Sequence, residues 1–520
     1  MAHAGTTRRR LIQGAALGAA STLFSAEWIR NASAAEAGVL TVVIPSNPST
    51  FDPLNQSNHD AMVVNQSIFE NLVEIDGDGK RVPMLAKSWT VSKDQLVYTF
   101  ELRDDVTFQN GQAFTAEYVK YSYEYILNPA NRALRRPIWI PIDSITVENP
   151  HRVVFRMKYT YRPFLDYMTK YMAIFPAGSR EKFPADHFKS TPIGVGTGPA
   201  IFVASQANDY IELRRNPNYW RKGFPKWEKL MIKVIPEEAA RVASLLSGQS
   251  QVIAAPPAKD FARLKTSSGV TGGAKPAIGC TLMVTPNNRQ APFDDPMFRR
   301  AVSLATDRER ICKDICYGLV EPTGVPAPAS SWWFNPQASK SVAFNMQEAR
   351  AALKKSKYAG GTEFDLMYAS TPYLTDTAGT AVFMQSQLAQ LGIKVNLRPL
   401  DFGRLISQVL VGNHQAALLA LVGPPEPTFL VQGFFRPTEA FFKSTGYENI
   451  ALTKLLEDSY KVDDQPRLKP ILQQMQTILV TDSPAIWIGT PYVLNLWRSE
   501  VKGFDPNAGL TLRLRDAALT

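Results

Sequence analysis

The sequence predicts an α/β protein of at least two lobes, on three observations. Its 520 residues exceed the roughly 250–300 that one apolar core usually serves. Strand and helix patterns alternate through the C-terminal half, which argues for a parallel sheet with helices on its faces. A third texture, dominated by period-two alternation, lies between residues 72 and 196, as in half-buried antiparallel strands.

The elements follow in order. "VLTVVIP" (residues 39–45) is a short valine-rich apolar run suited to a buried strand, and the polar loop "SNPSTF" follows it. In "LVYTFELR", Leu96, Tyr98, Phe100 and Leu102 fall on one side; in "HRVVFRMK", Val153, Phe155 and Met157 do. Between them "TAEYVKYSYEYIL" sets Val119, Tyr123 and Ile126 at helical spacing, and Glu148-Asn149-Pro150 is turn chemistry. In "PFDDPMFRRAVSLAT", Asp295 is placed as an N-cap and Pro296 as the first helical residue. Then come a strand in "FDLMYAS", a helix in "TAVFMQSQLAQLG" ending at Gly392, a strand in "IKVNLRP", a helix in "DFGRLISQVL" and a strand in "QAALLALV".

Composition narrows the function classes. Apolar residues make up 45% and charged residues 20% of the chain, ordinary for a globular protein. The formal charge is +10; residues 1–34 hold Arg8, Arg9, Arg10 and Arg30 against Glu27, so +3 belongs to that segment and +7 to the remainder. With no basic run interleaved with aromatics, no zinc spacing and no helix-turn-helix pattern, nucleic acid is not an expected partner. The five histidines (His3, His59, His151, His187 and His414) are far apart, so neither a metal nor another cofactor is expected, although a single histidine would suffice to touch a metal–chelator complex. Cys312 and Cys316 share a face with Ile311 and Ile315, with Asp307 as cap and Gly318 as stop; this reads as a packing stripe, or as a disulfide in an oxidising compartment. G-x-S-x-G and HExxH are absent, and the acid pairs Asp104-Asp105 and Asp294-Asp295 are adjacent, so their side chains diverge. No enzymatic activity is expected.

The N-terminus has export-signal anatomy. A charged start precedes a mild apolar run from Leu11 to Ala26, and Ala32 and Ala34 stand three and one before a possible cut. Thr7-Arg8-Arg9-Arg10-Leu11-Ile12 resembles the twin-arginine motif, with Gln13 where lysine is common; the general secretion route stays open. The expected product is soluble and periplasmic.

In open parallel sheets, ligands bind beyond the carboxyl ends of strands. "VGPPEP" (residues 422–427) and "PSNPSTF" (residues 45–51) both sit at such ends. Loops from distant parts of the chain would line one cleft if their lobes face each other.

Several stretches together resemble family 5 of the extracytoplasmic solute-binding proteins of peptide/nickel-type ABC importers. They are "LTVVIPSNPSTFDPLNQ", "IFENLVEIDGDGKRVPMLAKSW", "TPIGVGTGPAIFV", "IELRRNPNYWRKGFPKWEKLMIKVIPEEAARVASLLSGQ" and "PFDDPMFRRAVSLATDRERI". Their order and spacing make the match specific, and it covers nearly the whole mature chain. The resemblance implies a type II-like periplasmic binding-protein fold, with two α/β lobes, a hinge and an extra mixed α+β domain. The implied division is a signal peptide at 1–34, lobe I from 37–71 with 197–285 and 487–520, the extra domain at 72–196, and lobe II at 286–486. The implied function is capture of peptides or peptide-like solutes between the lobes and delivery to an inner-membrane permease, by a protein expected to be monomeric. In peptide-binding relatives, an aspartate at the position of Gly423 pairs with the ligand's amine; the glycine here opens opines, glutathione-like conjugates, oligosaccharides or metal chelates as alternatives. A receptor or chaperone role without transport is a further one. The mapping nominates Asn47, Pro48, Ser49, Trp332, Trp333, Val422, Gly423, Glu426 and Tyr492 as ligand-binding. It sets "GTGP" (residues 196–199) where the chain returns to the first lobe, with the glycines suiting a tight turn.

Overall fold

The computed structural model describes residues 38–520 except 57, 78–79, 184–185, 278, 370–374, 422, 425 and 506–511. The proposed leader and Val422 therefore lie outside the described residues.

A twelve-stranded mixed sheet runs through the molecule. Its first strand, Val39–Ile44, pairs in parallel with Lys229–Val234 on one side and with Val252–Ala254 on the other. That double pairing explains the continuous apolar run, since both faces of an interior strand are covered. At the far end, Thr362–Tyr368 lies parallel to both Ile393–Pro399 and Ala416–Leu421, as the alternation predicts. The first five residues of Ala416–Leu421 are buried.

One long strand joins the two ends. Ile486–Arg498 spans 13 residues. Its first part pairs antiparallel with Thr281–Pro286 and Val320–Pro322. Its second part pairs with Val270–Pro276 and Val252–Ala254. Thr281–Pro286 also pairs along its whole length with Ala416–Leu421. The boundaries expected at 285/286 and 486/487 thus fall inside strands.

Residues 72–196 carry a separate four-stranded antiparallel sheet, in the order Ala86–Val91, Val97–Leu102, Arg152–Met157, Ile142–Asn149. Tyr98, Phe100 and Leu102 are buried, as are Val153, Phe155 and Met157. The helix Ala116–Leu127 buries Val119, Tyr123 and Ile126 against them, and Tyr123 meets Phe155 edge-on at 4.9 Å. Asp295 caps Pro296–Ala305 by accepting from the Met297 and Phe298 amides. Ile311–Ile315 is wound as a π-helix, and Cys280, Cys312 and Cys316 are free and buried; no disulfide forms among the described residues. The Cys316 thiol instead accepts the Thr375 hydroxyl at 2.8 Å.

The reason for the glycines in "GTGP" is close approach rather than a turn. The Gly198 amide donates to the Ile68 carbonyl at 2.9 Å, and a Cβ at Gly196 would come within 1.9 Å of that same oxygen. Thr197 and the neighbouring "NPNYW" stretch converge on Glu70, whose buried carboxylate accepts from the Thr197 hydroxyl (2.8 Å), the Tyr219 hydroxyl (2.7 Å) and the Trp220 indole (3.1 Å). Burial pushes the Glu70 carboxyl up to about 7, against the opposing pull of these donors and Arg515.

A second buried polar network ties 161–171 to the C-terminal half. Arg162 pairs with Glu426, both side chains being almost fully buried, and lies 3.6 Å from Asp166. Asp166 is held in a two-pronged grip by Arg81 at 2.6 and 2.8 Å. Gln432 accepts from the Tyr167 and Tyr460 hydroxyls at 3.1 and 2.8 Å.

Two predictions follow from these networks. A carboxyl whose native pKa is raised binds its proton more tightly when folded, so its contribution to stability falls as pH rises from about 4.5 to about 7. Buried His59 and His414, held low at about 3 and about 4, act in the opposite sense, so the readout is a difference. The stability of Glu70→Gln relative to wild type should improve across that window by at most ~3 kcal/mol, measured by urea unfolding at several pH values; a pH-independent difference would refute the assignment. Removing one partner of the buried Arg162–Glu426 pair, as in R162M or E426Q, should each cost ~3–5 kcal/mol, with the double variant losing clearly less than the sum. Additive losses in a double-mutant cycle would deny the coupling.

Candidate functional site

The loop after Ala416–Leu421 is packed so closely that its composition has a steric cause. Gly423 is buried, and a Cβ built there would lie 2.1 Å from the Phe429 ring and 2.8 Å from the Gly279 carbonyl oxygen. Gly279 has a positive φ of 81°, and a Cβ on it would meet the Pro424 carbonyl oxygen at 1.9 Å. The two backbones thus lie almost in contact, and no side chain fits at Gly423. The Gly423 carbonyl accepts from the Lys170 ammonium at 3.2 Å.

Lys170 belongs to the helix Phe164–Tyr171, every residue of which is buried. Loss of hydration pulls its pKa down to about 8, with Arg135 adding a like charge. The Lys170 carbonyl accepts from Gln56, and Gln56 in turn accepts from Asn65. The His59 pKa is pulled to about 3, by lost hydration first and then by the Lys170 charge. Tyr171 carries the Arg135 guanidinium over its ring at 4.4 Å. The Cys280 thiol is pushed up to about 11 by burial, although Lys170 opposes that shift. Four stretches therefore meet here: residues 55, 56, 58 and 59, residues 134–135, residues 170–171 and the 279–280/423–424 loop pair.

The nominated residues are distributed around this junction. Glu426 has one carboxylate oxygen on Arg162 and the other on the Thr428 amide and hydroxyl at 2.9 and 2.7 Å. Asn47 bonds Asn208 and accepts the Asn58 side-chain amide at 2.7 Å on its carbonyl; the Ser49 amide donates to Asn58 at 3.0 Å. Pro48 lies half-buried between them. Asn58 caps the helix His59–Ile68, so this segment borders the junction through His59. Trp333 is buried and Trp332 half-buried, with ring centroids 5.5 Å apart in an edge-on arrangement. The Trp333 indole nitrogen is buried without a hydrogen-bond partner among the described residues, while its carbonyl accepts from Gln476 at 2.9 Å. Tyr492 sits within the long strand, half-buried; its amide donates to the Leu319 carbonyl at 3.0 Å, and its ring packs with the Leu494 and Leu496 cluster.

Lys170, Arg135, Gly279 and Cys280 were not among the nominated residues. The signal for Lys170 is in the sequence: "FLDYMTKYMAIF" sets one lysine in an apolar run, where an ammonium has no cheap position. Gly423→Ala should destabilise the protein by about 1–3 kcal/mol or more through overpacking against Phe429, as measured by urea unfolding; an unchanged midpoint would show that the ring moves aside freely.

Three comparisons bear on this arrangement. The Escherichia coli O6:K15:H31 (strain 536 / UPEC) glutathione-binding protein GsiB is 26% identical over 500 residues, covering 92% of this chain and 94% of that one. The periplasmic binding protein DppA of Helicobacter pylori, in complex with the peptide STSA, superposes with a TM-score of 0.82 at 23% identity, over 93% of this chain and 98% of that one. The binding protein AgaA of A. tumefaciens R10, in complex with agropinic acid, gives 0.81 at 25% identity, over 93% and 99%. These neighbours are binding proteins, and they share the type II periplasmic binding-protein fold expected from the sequence. The family described as "Bacterial extracellular solute-binding proteins, family 5 Middle" matches residues 80–442, and the chain belongs to it.

Proposed function

We propose that this protein is the solute-capturing subunit of an ABC importer for peptides or peptide-like solutes. The observation that carries the reading is its near full-length likeness to binding proteins, among them one named for glutathione and one solved with a peptide. Residues 423, 424 and 426–429, the helix Phe164–Tyr171 and residues 55, 56, 58 and 59 would form the walls of the pocket, with Asn47–Ser49, Trp332, Trp333 and Tyr492 at its edges. The strand Ile486–Arg498 would act as the hinge. Ligand binding favours a closed arrangement, and that arrangement engages the permease. The protein performs no chemistry of its own. Residues 1–34 would direct export by a twin-arginine-like signal, and no helix among the described residues is long and apolar enough to cross a membrane.

A second reading has one observation in its favour. Gly423 leaves no room for a side-chain carboxylate at that position, and one structural neighbour was solved with agropinic acid; an acidic, opine-like solute fits both. Native mass spectrometry of protein purified from its own host's periplasm separates the readings. A ladder of peptide masses, or the mass of glutathione, is the expected result. A single non-peptide mass would replace the peptide reading with the second. Added ligand at 100 times its dissociation constant should stabilise the protein by ~2.7 kcal/mol.

A further inference from the structure

We propose that the contact between residues 161–167 and residues 426–460 is a releasable latch, held by the Arg162–Glu426 ion pair, whose making and breaking sets the balance between closed and open forms. The proposal rests on the solute-binding reading above and names the contact that the solute's arrival has to favour.

The unit formed by residues 72–196 is joined to the rest of the chain on two sides, and the two joints differ. On the side of Phe51, Asp52 and Glu70 it is sewn on by backbone. The Phe51 amide donates to the Lys189 carbonyl at 3.0 Å, and the Ile174 amide to the Glu70 carbonyl at 3.1 Å. Asp52 adds a two-pronged bond to Arg180, at 2.8 Å through both oxygens. On the side of residues 426–461, side chains make most of the contact. Arg162 meets Glu426, and the Tyr167 hydroxyl donates to the Gln432 side chain at 3.1 Å. The Gln95 side chain donates to the Lys461 carbonyl at 3.1 Å, and the Tyr161 and Tyr460 rings meet edge-on at 5.3 Å. Among the described residues, the four strands of this unit share no ladder with the twelve-stranded sheet.

Each half of the second joint keeps partners of its own when the halves part. On one side, Arg162 has Asp166 at 3.6 Å, four residues on. On the other, the second Glu426 oxygen accepts from the Thr428 amide and hydroxyl at 2.9 and 2.7 Å. Gln432 has the Tyr460 hydroxyl at 2.8 Å and the Glu439 carboxylate at 3.0 Å. Opening therefore exchanges a few cross-joint bonds for bonds to water, at small net cost. Closing strips water from both charges of the pair, and that cost offsets much of their attraction. The two forms thus lie close in free energy, and a solute can decide between them. Removing one partner leaves the other buried and unmatched in the closed form alone, which drives the variant open.

The test places spin labels at Glu117→Cys and Lys454→Cys, two exposed positions on either side of the latch, in the mature protein. The native cysteines are buried and stay unlabelled. Pulsed electron resonance reads the distance between the labels with and without glutathione, and thermal unfolding checks that each variant folds. Wild type should show a shorter and a longer distance, and glutathione should gather it into the shorter. R162M should lower the ratio of short to long about tenfold or more, read without solute or at half-saturating glutathione, and should release glutathione faster while taking it up at an unchanged rate. If R162M does not fold, Tyr167→Phe, which deletes one hydroxyl, decides the matter with a shift of roughly threefold. Distance distributions that are the same in wild type and the folded variants, with and without glutathione, would make the contact a permanent joint and overturn the latch; glutathione uptake alongside them would leave the peptide reading standing. A shift in the variants without any response to glutathione would uphold the latch and count against the peptide reading.

Discussion

Backbone hydrogen bonding along Ile486–Arg498 is the constraint on which the rest of the structure depends. Its first part binds the strands that lead to the Gly423 loop, and its second part binds those that carry Val39–Ile44. Each interior N–H and C=O must find a partner, so one strand sets the register of two strand groups. The loops that follow Ile44 and Leu421 are thereby tied to one common strand. A binding site assembled from such distant segments needs that kind of common reference.

Polar groups then finish what the sheet begins. The helix Phe164–Tyr171 is buried on all sides yet contains Asp166 and Lys170. Asp166 is neutralised by arginines, while Lys170 faces a carbonyl and a second cation. The two charges, one helical turn apart, have different fates because their neighbours come from different segments. Asp166 joins the network that fastens this helix to Glu426, whereas Lys170 reaches the Gly423 loop.

Much of the fold was legible because it rests on local rules. The period-two pattern in "LVYTFELR" and "HRVVFRMK" matched the buried faces of their strands, and Asp295-Pro296 marked a helix start that the cap geometry bears out. The "GTGP" glycines were legible as special positions, but the cause was misread: the constraint is a carbonyl from the helix His59–Ile68, more than 120 residues earlier. The site was less legible. Residues flanking a strand end can be picked out by position, whereas the partners of Glu426 and the meeting of Lys170 with the Gly423 carbonyl depend on contacts between segments that no local pattern encodes.

The sequence by itself determined the class of the protein, the strands and helices, the loops at the strand ends and, through the order of its motifs, the family. Those properties follow from side-chain periodicity, capping and turn chemistry, which act over a few residues. Only the tertiary structure decided that Gly423 excludes any side chain, that Glu426 is spent on Arg162, and that the Lys170 ammonium reaches the Gly423 carbonyl. Steric exclusion and electrostatic pairing act through space over a few ångströms, and folding alone determines which distant residues come within that range.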